Sequence, residues 1–224
     1  MKRLLILAAL AVMLGGEVRA DFITQWNFTG DVTTPSLGSG TAALVGGTSA
    51  TFATGFSGAP DRAWNTATYP ASGTGNKTAG VQFNAATTGF QNITLTWNHR
   101  HSNTSANTIS VQATTDGSIW NEVQLFSFTP AATGTGDTWY TRSVVLNNSY
   151  NNAANFGFRI LAAFDTGTGN YLASRSTSTY GTTGTWRFDN VSIEGTAVPE
   201  PTTGLLLGIG TLACAAFRRN RRVA

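Results

Sequence analysis

The chain has 224 residues, of which 41% are hydrophobic and only 11% charged. That is enough apolar material for a core, which excludes disorder throughout, and far less charge than the ~25% of an ordinary soluble domain. Half of the 14 basic residues sit at the two ends, so Asp21–Val198 has seven basic against nine acidic residues and a net charge of −2. The isoelectric point of 9.4 therefore belongs to the tails, and a body of negative charge excludes nucleic acid as a partner.

At the N-terminus, Lys2 and Arg3 precede an unbroken apolar run, Leu4 to Leu14, and Val18 and Ala20 then place small residues at −3 and −1 of a cleavage site. This is the order of a secretory signal peptide over 1–20, removed by signal peptidase before Asp21.

From Asp21 the pattern changes to short alternating segments. Phe22 to Phe28 predicts a strand with Phe22, Thr24, Trp26 and Phe28 on one face. Asn92 to Asn98 groups Ile93, Leu95 and Trp97, and Thr108 to Thr114 groups Ile109, Val111 and Ala113. Glu122 to Phe128 separates Glu122, Gln124 and Phe126 from Val123, Leu125 and Ser127. Trp139 to Leu146 follows, then Asn155 to Phe164 with Phe156, Phe158, Ile160, Ala162 and Phe164 in line, and Trp186 to Ile193 closes the set. Period-2 segments rich in aromatic and β-branched residues are strands. The Gly, Asn, Ser and Thr clusters at 33–40, 69–75 and 131–136 are turns. Such strands must bury one face against another sheet, so residues 21–196 predict an all-β, two-sheet antiparallel sandwich, jelly-roll-like. The polar stretch 166–184 is either a long binding loop or a loosely held crossing.

The chemistry of the body is sparse. It contains no cysteine, Cys214 lying in the apolar tail, so disulfides and thiolate sites are excluded. His99 and His101 flank Arg100 at a strand end and predict surface rings on one side without a third metal ligand. Strict alternation sets Arg187, Asp189, Val191 and Ile193 on one face. Asp189 therefore needs a partner, Arg159 or Arg187, or a structural Ca²⁺ with Asp21, Asp31 or Asp165 as co-ligand. No catalytic motif occurs. A hydrolase would have to combine Asp165 or Glu122 with His99 or His101.

Thr115-Asp116-Gly117-Ser118-Ile119-Trp120 resembles the Asp-Gly hairpin of discoidin-like and related sugar-binding sandwiches, with Trp120 entering the next strand as a core anchor. Phe188 to Ile193 resembles their closing strand. A carbohydrate-binding module would use aligned aromatic rings, for which Trp64, Tyr69, Trp139, Tyr140, Tyr171 and Tyr180 are the candidates.

The C-terminal end, 197–224, has three parts in fixed order. Val198-Pro199-Glu200-Pro201 precedes the apolar run 204–217, and Arg218, Arg219, Arg221 and Arg222 follow. Fourteen apolar residues are short for a membrane helix, but counting from Pro201 gives 17, the lower limit of a span. The arginines hold the cytoplasmic end, so the body faces outward, as the signal peptide also requires. This end resembles the PEP-CTERM sorting signal, the tripeptide matching residue for residue. The resemblance implies a Gram-negative host, a transient inner-membrane anchor, and an exosortase-type transpeptidase that cuts near the tripeptide and delivers the protein to the envelope or the exterior. It also implies association with exopolysaccharide. The expected function is thus a non-catalytic envelope or matrix protein. The alternatives are a carbohydrate-binding module for an external glycan and an extracellular hydrolase.

Overall fold

The computed structural model describes residues 20–127 and 138–198. Apart from Ala20, Ala197 and Val198, the expected signal peptide and the sorting signal, with its apolar run and arginines, lie outside these residues, as do Phe128 and the 131–136 turn. Among the described residues no helix is long and apolar enough to cross a membrane.

The strands are β1 Asp21–Trp26, β2 Thr41–Val45, β3 Ser49–Thr54, β4 Arg62–Ala67, β5 Gly80–Asn84, β6 Phe90–His101, β7 Thr108–Thr114, β8 Asn121–Phe126, β9 Trp139–Val145, β10 Gly157–Ala163 and β11 Trp186–Ala197. They form an all-β, two-sheet antiparallel sandwich. The six-stranded sheet has the order β3-β4-β11-β6-β9 with β1 also on β11, and the five-stranded sheet has the order β2-β5-β10-β7-β8.

The alternation read from the sequence places the core. Ile93, Leu95 and Trp97 of β6, Ile109, Val111 and Ala113 of β7, and Phe158, Ile160 and Ala162 of β10 are all buried between the sheets. Phe83 of β5 is the meeting point, its ring 5.0 Å from Trp26, 5.1 Å from Phe158 and 6.1 Å from Trp64. Tilted and offset contacts of this kind stabilise beyond the area they bury.

Four strands, β2 to β5, have no counterpart in the sequence reading. β2 (TAALV) and β3 (SATFAT) are half-exposed strands of small residues at the sheet edges, where apolar alternation has little to act on. β4 and β5 are too short to show a period, although each buries aromatic residues of the core.

Three irregularities correct the facing of named residues, one of them in β8, where a register shift between Val111 and Gln112 lets Val123 and Phe126 both pack against the core although alternation separated them. The register shifts between Phe22 and Thr24, so Phe22 is 49% exposed while Thr24 and Trp26 point inward. In β11, Asp189 is opposite Asn98 but Ser192 is opposite Thr96, an extra residue on the β11 side. Asn190 occupies the left-handed region, with φ of 47°. This is a β-bulge, and it switches the inward face: Trp186 and Phe188 are buried in the core before it, Val191 and Ile193 after it. Asp189 therefore does not share a face with Val191 and Ile193.

The stretch 166–184 is a packed crossing. Asn107 and Ser105 meet it through backbone bonds to Leu172 and Ser174, both 2.9 Å. Tyr171 and Tyr180 donate to the carbonyls of Gly75 and Pro70 at 2.8 Å and stack on each other.

Asn tolerates left-handed backbone and a β-branched residue does not. Asn190→Val should therefore destabilise the fold by about 1–2 kcal/mol, roughly 2–8 °C in Tm at this size, whereas Asn190→Gly should melt close to the parent. Equal melting of the Val and Gly variants would show that the bulge is not under this constraint.

Candidate functional site

The outer face of the five-stranded sheet is built by the residues that alternate with the core. Pairing aligns Ala43, Gln82, Arg159, Gln112 and Glu122 as direct neighbours across all five strands. Thr41, Asn84, Gly157 and Thr114 form the adjacent row. The side chains are tied together: Arg159 Nε donates to Gln82 Oε1 at 2.8 Å, Gln82 Nε2 to Asn84 Oδ1 at 3.0 Å, and Asn84 Nδ2 to Thr41 at 3.2 Å. Cross-strand bonds of this kind hold amide and guanidinium groups at set positions.

Trp120 completes this face. The Arg159 guanidinium lies 3.7 Å from the centre of its ring, a close cation–π contact. Gly157 lies beneath: a Cβ there would collide with Asn84 Oδ1 and come within 3.2 Å of the indole. Trp120 is thus a half-buried ring lying over the outer face, which corrects its expected place in the core. The sequence did carry the clue, because Trp120 has the parity of Glu122 and Gln124 on the polar side of the next strand. The hairpin before it is as expected. Gly117 has φ of 76°, and Asp116 accepts from the Ser118 and Ile119 amides at 2.8 Å.

The rows are bounded at both ends. A depression of about 330 Å³ adjoins Thr41 and Asn84 and is also lined by Asp116, Gly117 and Asn155. On the other side Lys77, just before β5, pairs with Glu122 of β8 at 2.8 Å, and Leu161 of β10 and Ser110 of β7 between those strands are buried. Burial alone would raise the Glu122 carboxyl, but its bonds to Lys77 and Ser110 hold it below the ordinary carboxylate value.

The other aromatic candidates do not assemble on one face. Trp64 and Tyr69, 4% and 5% exposed, and Tyr171 at 5% belong to the core. Tyr180 stacks on Tyr171, Trp139 meets Phe56 edge-on, and Tyr140 meets His101.

His99 and His101 are fully buried between the sheets, correcting their expected place at the surface. Their rings stack at 4.2 Å, with Trp186 edge-on to both. His101 Nδ1 bonds the Ala106 carbonyl at 3.0 Å and so carries the proton. Burial pulls His101 down to about 3 and His99 well below its ordinary value, the neighbouring cationic groups adding to the effect. Glu122 is on the far side of the five-stranded sheet, and Asp165 bonds Thr108 and Ser127. The structure does not bring these carboxylates and imidazoles together as a hydrolase would require.

Asp189 faces outward from the six-stranded sheet and is covered by the 55–61 loop. It accepts from the Phe56 amide at 2.8 Å and the Asn190 amide at 2.7 Å, while Asp61 accepts from Ser57 and Arg62. The two carboxyls meet beside Gly55, where a side chain would strike both. Arg159 lies on the other sheet, and Arg187 bonds Asn65 and the Thr54 carbonyl. Asp21 stands opposite Gly195, about 20 Å along β11 from Asp189; Asp31 pairs with Arg62. Among the described residues no group of three or more His, Cys, Asp or Glu could hold a metal.

Comparison with known proteins agrees with the sorting signal. Residues 197–222 match the family model described as the PEP-CTERM protein-sorting motif. No curated protein matches the chain. Among solved structures it is similar to the tandem CBM22-1-CBM22-2 domain of Paenibacillus barcinonensis Xyn10C, at 11% identity and a TM-score of 0.47 over 82% of this chain, which spans about half (48%) of that one. It is similar also to the CBM22-1 xylan-binding domain of the same enzyme (10% identity, TM-score 0.46, 80% of this chain and 97% of that one). A third is the K1 cleaved adhesin domain of Lys-gingipain from Porphyromonas gingivalis W83 (13% identity, TM-score 0.40, 81% of this chain and 100% of that one).

Burial, opposed by the Phe56 amide and reinforced by Asp61, pushes Asp189 up to about 7. Between the unfolded value near 4 and about 7 only the folded state keeps that proton, so this contribution to stability declines as pH rises. The buried histidines act oppositely, costing stability as pH falls below 6.5. Comparing Asp189→Asn with the parent isolates the carboxyl: the variant should gain Tm relative to the parent between pH 4 and 8. A pH-independent difference would overturn the assignment.

Proposed function

We propose that this is an exported, non-catalytic envelope protein that contacts polysaccharide through the outer face of its five-stranded sheet. The observation that carries this reading is the row Gln82–Arg159–Gln112 beside Trp120. It offers fixed donors and acceptors with a flat apolar ring next to them, the combination that a hydroxyl-rich chain of sugar rings needs. The shallow, polar setting suits an extended glycan better than a small enclosed ligand.

The sorting motif supports the location. Signal peptidase would release the N-terminus at Asp21, the 204–217 run would hold the precursor in the inner membrane with its arginines inside, and an exosortase-type transpeptidase would cut near Pro199-Glu200-Pro201. The sandwich ends where this requires it to end: β11 stops at Ala197, and the Val198 amide makes its bond to the Gly89 carbonyl at 2.8 Å just before the tripeptide.

Trp120→Ala and Gln82→Ala, with melting curves that show retained folding, should each weaken retention of the full chain in glycan-containing gels at least tenfold, or ~1.4 kcal/mol. Retention unchanged in both variants would remove this face from the reading.

Intact mass measurement of protein recovered from its host should give a chain that starts at Asp21 and stops near Pro201. Alanine in place of Pro199, Glu200 and Pro201 should instead yield a membrane-held chain that retains the tail. A parent protein still ending at Ala224 would refute the processing.

A further inference from the structure

Arg159 is charged, half-buried and pre-positioned. Its Nε is committed to Gln82 and its guanidinium plane to the face of Trp120. Neither the Arg62–Asp31 nor the Lys77–Glu122 ion pair includes Arg159. Its two terminal nitrogens have no acceptor among the described residues and are not among the buried atoms lacking one, so they open to solvent.

Among the described residues, the surroundings bring no counter-charge. Its neighbours in the row, Gln82 and Gln112, are neutral amides, and the nearest acidic residue of that row, Glu122, is held by Lys77 and Ser110. Burial lowers the guanidinium from its ordinary value with no anion to offset it. A planar fork with both terminal nitrogens open is the geometry that receives a carboxylate through two parallel bonds, which an ammonium cannot reproduce.

Resting on the glycan reading above, we infer that the face selects an acidic polysaccharide, with Arg159 receiving the carboxylate of a uronate unit whose ring lies against Trp120. Gln82 fixes the guanidinium angle, and Gln112 offers an amide on the other flank. Arg159 is thus the specificity-determining residue of the face, and the glycan supplies the missing counter-charge.

The test compares retention of the full chain by polygalacturonate, by its fully methyl-esterified form, by dextran and by dextran sulfate, at several salt concentrations. Polygalacturonate should bind at least tenfold tighter than its ester, with the preference shrinking as salt screens the pair. Arg159→Gln should abolish the preference, so that acid and ester are retained alike, and Arg159→Lys should recover little of it. Melting curves would verify that both variants fold. Equal retention of acid and ester, or an Arg159→Gln variant that keeps the preference, would overturn the inference while leaving the glycan reading intact. Dextran sulfate binding as tightly as polygalacturonate would overturn the carboxylate assignment in favour of general polyanion attraction. Retention by none of the four would overturn the glycan reading itself.

Discussion

A central strand that must bury large side chains along its whole length, yet hold a carboxylate near its middle, faces a problem of parity. β11 contributes Trp186, Phe188, Val191 and Ile193 to the core, and strict alternation cannot place all four on one face. The extra residue at Asn190 resolves it by letting the backbone take one left-handed step, so the face on which apolar groups lie changes over without leaving the sheet. Because β11 pairs with β4, β1 and β6, the step sets the positions of three other strands. A register shift of the opposite sense between Glu194 and Thr196, near Asn92 of β6 at φ of 55°, restores the pairing.

The same step turns Asp189 away from the core and towards the 55–61 loop. Two backbone N–H groups and the Asp61 carboxyl meet it there, and Gly55 leaves the room that this convergence needs. A carboxyl in such a place is favoured neutral, because burial penalises the charge more than two amide donors reward it. The outer face of the six-stranded sheet is thereby covered by its own loop around Asp189, while the middle row on the opposite side of the sandwich remains open.

That open side shows how a sheet can present recognition groups without a deep cavity. Arg159 is held by Gln82 and the ring of Trp120, and Gln82 by Arg159 and Asn84, so the entropy of ordering these long side chains is lost on folding and not again on binding. The ring of Trp120 sits flat because Gly157 beneath it has no side chain. Among the described residues the guanidinium under the ring makes no ion pair.

The sequence alone determined the all-β class, because period-2 burial depends only on neighbouring residues and is written locally in β6, β7 and β10. It also determined the sorting signal at 197–222, since charge, length and tripeptide order need no folded context. Bulges were not legible: neither Ile23 nor Asn190 differs in type from residues in regular strands, and the misplacement of Phe22 and Asp189 follows from that. The short strands β2 to β5 were hidden for a related reason, their pairing being decided by partners distant in the chain. His99 and His101 carry the parity of Ile93, Leu95 and Trp97, so alternation already set them on the core face; that β6 runs on to His101, keeping both rings between the sheets, was settled when Trp186 and Phe188 packed against them. The row Gln82–Arg159–Gln112 joins β5, β10 and β7 from widely separated parts of the chain. Only the antiparallel register between those strands could make neighbours of them, because register is a property of paired backbones and not of any one segment.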